Sequence, residues 1–223
     1  MTARRDACRG ALRRRMAQLL LPVLLLALVP STEVVAEDDP AITEEPRRLI
    51  DETAKQILVI LSNKDESAEK RIAQVEVIAF DVFDFTTISK LVLARNWRKL
   101  DKAQRAEFVG EFKRHLSRTY GARLERYDQE RFEVTGAQLE PRNDVSVMTM
   151  VVGGQFDSAR VSYRLRNRNE RWRIIDVVIE GVSLVSNFRS QFAEVLNSGS
   201  IEDLLAKLRE KNAASVLDPQ TTS

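Results

Sequence analysis

Between residues 43 and 124 apolar side chains recur at spacings of three and four, and from residue 131 onward the period falls to two. The first pattern predicts helices and the second strands, because a helix gathers every third or fourth side chain on one face whereas a strand alternates. Thr43, followed by Glu44, Glu45 and Pro46, marks a helix start, and Leu49, Ile50, Ile57, Leu58 and Leu61 form its buried stripe. A polar break at 62–66 precedes a second helix carrying Ile72, Val75 and Ile78. Asp84-Phe85-Thr86-Thr87 opens a short helix that runs through Leu91-Val92-Leu93 and closes around Asn96-Trp97. Asp101, with Gln104 three residues on, has the spacing of a capping box. Phe108, Phe112, Leu116, Tyr120 and Leu124 then return every four residues as one long apolar seam.

In the second half Phe132 and Val134 keep one phase and Ala137 and Leu139 the other, with Gly136 at the change, which predicts a β-bulge. Residues 143–152 are apolar on both faces, with Val145, Val147 and Val151 on one and Met148, Met150 and Val152 on the other. That predicts a strand in the sheet centre or against a cavity. Gly153-Gly154 predicts the next turn. In the following strand Val161, Tyr163 and Leu165 are expected inward, and Arg160, Ser162, Arg164 and Arg166 outward. The last strand begins at Trp172 and leaves through Glu180-Gly181 to Ser183, the expected N-cap of a helix with Leu184, Phe188 and Phe192 on one side. A final helix, capped by Ser200, buries Leu204, Leu205 and Leu208, and the polar residues 213–223 are expected to be a disordered tail. With no repeat or linker in 37–212, the expectation is a single α+β domain. It has an antiparallel sheet of about four to five strands and helices packed on one face.

Charge changes the picture at the amino terminus. Arg4, Arg5, Arg9, Arg13, Arg14 and Arg15 precede an apolar run over 16–29, and Val34-Val35-Ala36 supplies an A-x-A-like site. This is the layout of a secretory signal peptide. The apolar run, about 14 residues broken by Pro22, is shorter than the roughly 17–25 of a membrane-spanning helix. Cleavage is expected after Ala36, with Glu37 first in the exported protein; an uncleaved anchor is the competing reading. No cysteine follows the run, so no lipoprotein anchor is expected. Six of the 35 basic and two of the 33 acidic residues fall in 1–36, which leaves 29 against 31 and turns a formal +2 into −2. The arginine cluster therefore gives no reason to expect nucleic acid. Cys8 is the one cysteine and lies in the same segment, so the exported domain is expected to be held by its core, without disulfides or thiolate ligands.

Candidate chemistry is sparse. His115 is the one histidine, and without a second His or a Cys the usual zinc site cannot be assembled. Asp176 and Glu180 share a strand, but four residues at ~3.3 Å set them roughly 13 Å apart, beyond the ~5–9.5 Å of a glycosidase carboxylate pair. Asp81 and Asp84 read as caps of adjoining segments, the alternative being two carboxylates brought together on one helix. G-x-S-x-G, a phosphate-cradling loop and G-x-G-x-x-G are all missing from the sequence. No catalytic residue, metal or cofactor is expected. The one localised charge feature is the arginine face led by Arg160 and Arg164. It reads either as a solvated sheet face or as a docking surface for acidic partner proteins or anionic headgroups.

The stretch D-F-T-T-I-S-K-L-V-L-A-R-N-W-R-K-L at 84–100, then Gln104, Phe108, Phe112 and Tyr120, then V-S-Y-R-L and R-W-R-I-I-D-V-V-I-E-G-V-S-L-V-S-N-F-R-S-Q-F, resembles the MlaC family. These are periplasmic lipid-carrier components of an ABC-type system that maintains outer-membrane lipid asymmetry, also described as toluene-tolerance proteins. The resemblance covers almost all of 40–212; Leu93-Ala94 stands where many relatives have Leu-Gly. It implies a fold like the nuclear transport factor two superfamily, with a deep apolar pocket between sheet and helices. It also implies a periplasmic monomer with a phospholipid as ligand, or a hopanoid-type lipid as in a sister branch. Its partners would be an outer-membrane lipoprotein complex and an inner-membrane substrate-binding ABC permease complex. Exposing a methylene to water costs about 0.8 kcal/mol, so two tails with roughly 30 of them must be enclosed against a barrier on the order of 20 kcal/mol. On that reading the tails are expected among Phe108, Phe112, Leu116, Val147, Met148, Met150, Val161, Tyr163 and Trp172, with the two methionines as adaptable contacts. An enzyme of the same fold would rest on Asp176 as the one carboxylate aimed into the pocket. An adaptor without ligand would rest on the arginine face alone.

Overall fold

The computed structural model describes residues 40–217 apart from 125 and 127–129; the expected signal peptide, its cleavage site and residues 218–223 lie outside the described residues. In chain order come α1 (Pro40–Ser62), α2 (Ala68–Val82), α3 (Phe85–Leu93), a 3-10 turn (Ala94–Lys99), α4 (Lys102–Leu124), β1 (Arg131–Glu140), β2 (Asp144–Val152), β3 (Arg160–Arg168), β4 (Arg171–Ile179), β5 (Val182–Ser183), α5 (Leu184–Ser198) and α6 (Ile201–Leu217). None of the described helices is long and apolar enough to cross a membrane.

Side chains set most helix starts by accepting the N–H groups that a first turn leaves without partners. Ser67 accepts from Lys70 N at 3.3 Å, Asp84 from Thr87 N at 2.8 Å and Ser183 from Ser186 N at 3.0 Å. Asp101 and Gln104 exchange bonds of 2.8 and 2.9 Å, a full capping box. Ser200 and Asp203 do the same at 3.1 and 2.7 Å. Two boundaries differ from the sequence reading. α1 begins at Pro40 rather than Thr43, carrying Pro46 inside it at the loss of the bond a residue there would donate to Ile42. α6 runs on to Leu217, so 213–217, expected in the tail, are helical.

The sheet has five strands in the order β1-β2-β3-β4-β5, each antiparallel to its neighbour. Asn169-Glu170 and Glu180-Gly181 take the left-handed backbone (φ 52 and 58, 48 and 80) that two-residue hairpins require. The expected bulge lies between Val134 and Gly136. It leaves Thr135 unpaired and brings Phe132, Val134, Ala137 and Leu139 to one face despite their change of phase. A second irregularity, at Arg164/Leu165 opposite Ile175, breaks the β3–β4 register. Gly153-Gly154 opens a longer connection through residue 159, closed where the Asp157 carboxylate accepts the Gly153 N–H at 2.6 Å.

Helices cover the face that carries Ala137, Val145, Val147, Leu165, Trp172, Ile174 and Val177, which pack with Ile50 of α1 and Val82 of α2 into one core. A second core joins α3, α4, α5 and α6 through Val92, Phe108, Phe112, Phe188, Phe192 and Leu205. In it Phe112 meets Phe188 edge-on at 5.1 Å and Phe108 meets Phe192 at 5.7 Å. Phe83, at the α2–α3 junction, packs against both.

Candidate ligand cavity

Where the two cores meet they do not close. A cavity of about 320 Å³ lies between them, walled by α1 (Ile50, Ala54, Ile57), α2 and its exit (Ile72, Val75, Ala79, Phe80, Phe83), α3 (Phe85, Ile88, Val92), α4 (Phe112, Leu116, Tyr120, Leu124), the sheet (Tyr163, Ile174, Val177, Ile179) and α5 (Leu184, Phe188). Protein interiors close to crystal-like density with few voids larger than a water molecule, so a hollow of this size needs an explanation. Partly exposed wall residues come from every side, Phe85, Tyr163, Ile179 and Leu184 among them, but the partly exposed polar ones other than Tyr163, namely Thr53, Glu76, Ser117 and Tyr120, belong to α1, α2 and α4. The polar rim of the cavity therefore runs along these three helices, and the sheet supplies another wall.

Polar groups are few. Asp176 borders the cavity, but its carboxylate is occupied: Ser183 donates its hydroxyl to it at 2.6 Å and Val185 its backbone N–H at 3.0 Å. Those bonds bend the chain from β4 into α5, which assigns Asp176 a structural task at the point where the enzyme reading needs a free group. Tyr163 reaches the cavity from β3, and burial among apolar walls pushes its hydroxyl pKa up to about 12. The phenol, already neutral at physiological pH, is moved still further from ionisation. His115, which is not part of the wall, stands edge-on to Phe188 at 5.8 Å. Its pKa is lowered, chiefly by burial and then by the Lys211 ammonium, against the opposing effect of Asn212. The described residues contain no cluster of three or more His, Asp or Glu able to hold a metal.

Of the positions expected to line the pocket, the structure brings Phe112, Leu116 and Tyr163 to the wall and places the others elsewhere. Phe108 is fully buried in the α3–α6 core, stacked on Phe112 at 5.6 Å. Val147, Val161 and Trp172 face the helices but are taken up by packing with α1 and with each other. Met148 and Met150 are on the opposite face of the sheet, paired with Ser162 and Arg160 and only half-buried. Strand alternation forces this once Val145 and Val147 point inward. Met148 instead lies over Gly136, its methyl 2.9 Å from where a Cβ would stand. Arg160 and Arg164 are exposed on that same outer face, whereas Arg166 is neutralised by a two-pronged pair with Asp144, both bonds 2.6 Å. The walls that sequence reading passed over are Ile50, Ile57, Ile72 and the trio Phe80, Phe83 and Phe85. The one signal available was the density of aromatics in F-D-V-F-D-F at 80–85.

Sheet, helical cover and hollow together define an α+β protein built around an apolar cavity. The model of the MlaC protein family matches residues 51–210. The toluene tolerance protein ttg2D of Pseudomonas putida is 27% identical over 179 residues, covering 78% of this chain and 80% of its own length. The intermembrane phospholipid transport system binding protein MlaC of Haemophilus influenzae is 19% identical over 130 residues, 56% of this chain and 61% of that protein. The solved structure of a phospholipid-binding protein from Ralstonia solanacearum, in complex with a phospholipid, superposes with a TM-score of 0.67 at 21% identity. It covers 80% of this chain and 99% of that one, and shows that the fold is shared. The chain belongs to the MlaC family.

Proposed function

We propose that this protein is a periplasmic lipid carrier that hides the acyl chains of a phospholipid in the cavity and moves it between membrane-bound components of an ABC-type transport system. The observation that carries this reading is the apolar hollow of about 320 Å³ between the two hydrophobic cores. An engineered apolar cavity of ~150 Å³ already stays dry and binds benzene, and small-molecule sites begin near ~300 Å³. Walls of Ile, Val, Leu and Phe offer a polar substrate almost nothing to bind, but they remove hydrocarbon from water at about 0.8 kcal/mol per methylene. The choice of a phospholipid is supported by the names of the relatives, one an intermembrane phospholipid transport protein and one a structure with phospholipid bound.

Export is supported by the basic, apolar and A-x-A-like order of residues 4–36. The partners on this reading are an inner-membrane substrate-binding complex and an outer-membrane lipoprotein complex. The exposed Arg160 and Arg164, free of the pairing that occupies Arg166, supply a surface for acidic partners. Purification from periplasmic extract without detergent, followed by lipid extraction and mass spectrometry, tests the carrier. Phospholipid stoichiometric with protein is expected, and a protein recovered free of lipid in every preparation would overturn it.

A further inference from the structure

Beside the cavity stands a cation with an unusual partner. Lys113, half-buried on α4 next to the wall residue Phe112, holds its Nζ 3.1 Å from the centroid of the Phe80 ring and 5.7 Å from that of Phe85. The two rings meet edge to face at 5.8 Å, and both belong to the cavity wall. Lys55 and Lys70 each find a carboxylate one turn away. Among the described residues Lys113 has no carboxylate within ion-pair distance and no hydrogen-bond acceptor. The ammonium therefore rests on aromatic rings alone, beside an apolar hollow.

We infer, resting on the carrier reading, that Lys113 reads the phosphate of the lipid: it lies on Phe80 and Phe85 when the cavity is empty and turns to the phosphodiester when the tails are in. Tails that fill a hydrocarbon-lined hollow leave the first polar group of the lipid at its polar rim, which includes Ser117, one turn after Lys113 on α4, and Glu76, one turn before Phe80 on α2. A ring face is an adaptable but weak partner for a cation, and a phosphate oxygen with a charge-assisted hydrogen bond is the stronger one. The four-carbon stem lets the ammonium exchange one for the other without moving the helix. Glu76, a wall residue one turn before Phe80, opposes a small free anion in the same place. The phosphate must therefore arrive on tails whose burial drives it there. Discrimination then includes the presence of a phosphate at the glycerol end as well as the burial of the tails.

The test uses delipidated full-length protein with the lysine side chains labelled for NMR. It is offered nonionic detergent micelles that carry dioleoyl phosphatidylcholine, dioleoylglycerol with the same tails and no phosphate, or both in competition. In the free protein the Lys113 ε-methylene signal is expected to be shifted upfield by the ring currents. Phosphatidylcholine should remove that shift, and dioleoylglycerol and inorganic phosphate alone should not. In competition wild type should favour the phospholipid by about tenfold, the scale of one hydrogen bond to a charged group. Lys113→Met should lose that preference and Lys113→Arg should keep it. A preference unchanged in Lys113→Met, or a ring-current shift that survives phospholipid uptake, overturns the assignment. Displacement by inorganic phosphate alone overturns its attribution to a lipid. A wild-type protein that captures neither lipid overturns the carrier reading itself, an outcome distinct from the others.

Discussion

The carboxylate of Asp176 accepts the backbone N–H of Val185 at 3.0 Å while its other oxygen holds the Ser183 hydroxyl at 2.6 Å. The last long strand thereby caps the helix that follows it, and the wall of the cavity at Val177, Leu184 and Phe188 is fixed by the same two bonds. Asp176→Ala removes the acceptor from a buried N–H and is expected to cost about 1–3 kcal/mol. Asp176→Asn, which keeps one acceptor oxygen, should cost less. Urea denaturation of the two variants measures both. A turnover-deficient but fully stable Asp176→Asn protein would instead revive a catalytic part for this residue.

Ala94 closes α3 at φ 48, ψ −124, a conformation that only glycine adopts without strain. Such strain amounts to about 1–3 kcal/mol, partly offset by the greater freedom of glycine in the unfolded chain, ~0.4–1 kcal/mol. Ala94→Gly is expected to raise stability by about 1 kcal/mol, seen as a higher denaturation midpoint. Ala94→Val should lower it.

Filling the hollow separates binding from folding. Ala79 is part of the wall, and an indole there occupies space that a tail would use. Ala79→Trp should deplete co-purified lipid while leaving the thermal midpoint equal or higher. Met148→Ala and Met150→Ala, on the outer face, should leave lipid content as it is. Retention of lipid in Ala79→Trp together with its loss in the methionine variants would reverse the assignment of the two faces.

Truncating the shared wall of core and cavity should be severe. Phe112 is 1% exposed and touches Phe108, Phe188 and Phe192 at 5.6, 5.1 and 5.4 Å. Phe112→Ala is expected to cost about 3–5 kcal/mol. Met148→Ala, removing a half-exposed side chain, should stay below about 1.5 kcal/mol in the same titration.

His115 gives stability a pH dependence of known sign. Its folded pKa lies below the ordinary 6.5, chiefly through burial. The unfolded chain therefore takes up the proton first, and stability falls as pH drops below about 6.5 and on through the folded value. Denaturation midpoints measured from pH 7.5 down to pH 5 should show a smaller decline in His115→Gln than in wild type.

Local features were legible in the sequence because they are decided within a few residues. The capping box at Asp101 and Gln104, the cap at Ser183, the bulge at Gly136 and the inward set Val161, Tyr163 and Leu165 each follow from spacing and side-chain chemistry alone. So did the fold class, and the motifs that mark the family. The bulge opposite Ile175 had no glycine to signal it. The early start of α1 at Pro40 was hidden because a proline in a first turn reads equally as a helix start or as the end of a loop.

By itself, the order of residues determined which side chains share a face; only the tertiary structure decided what each face meets. Alternation puts Val147 and Met148 on opposite sides of β2, yet nothing local says which side the helices cover. The seam of α4 keeps Phe108 and Tyr120 in line. One end enters the packed α3–α6 core and the other reaches the hollow, because the helix runs out of that core along the cavity wall. A cavity is space that neighbours distant in sequence leave unfilled, so no short stretch of the chain can encode it, and its walls emerge only when α1, α2 and the sheet are brought together.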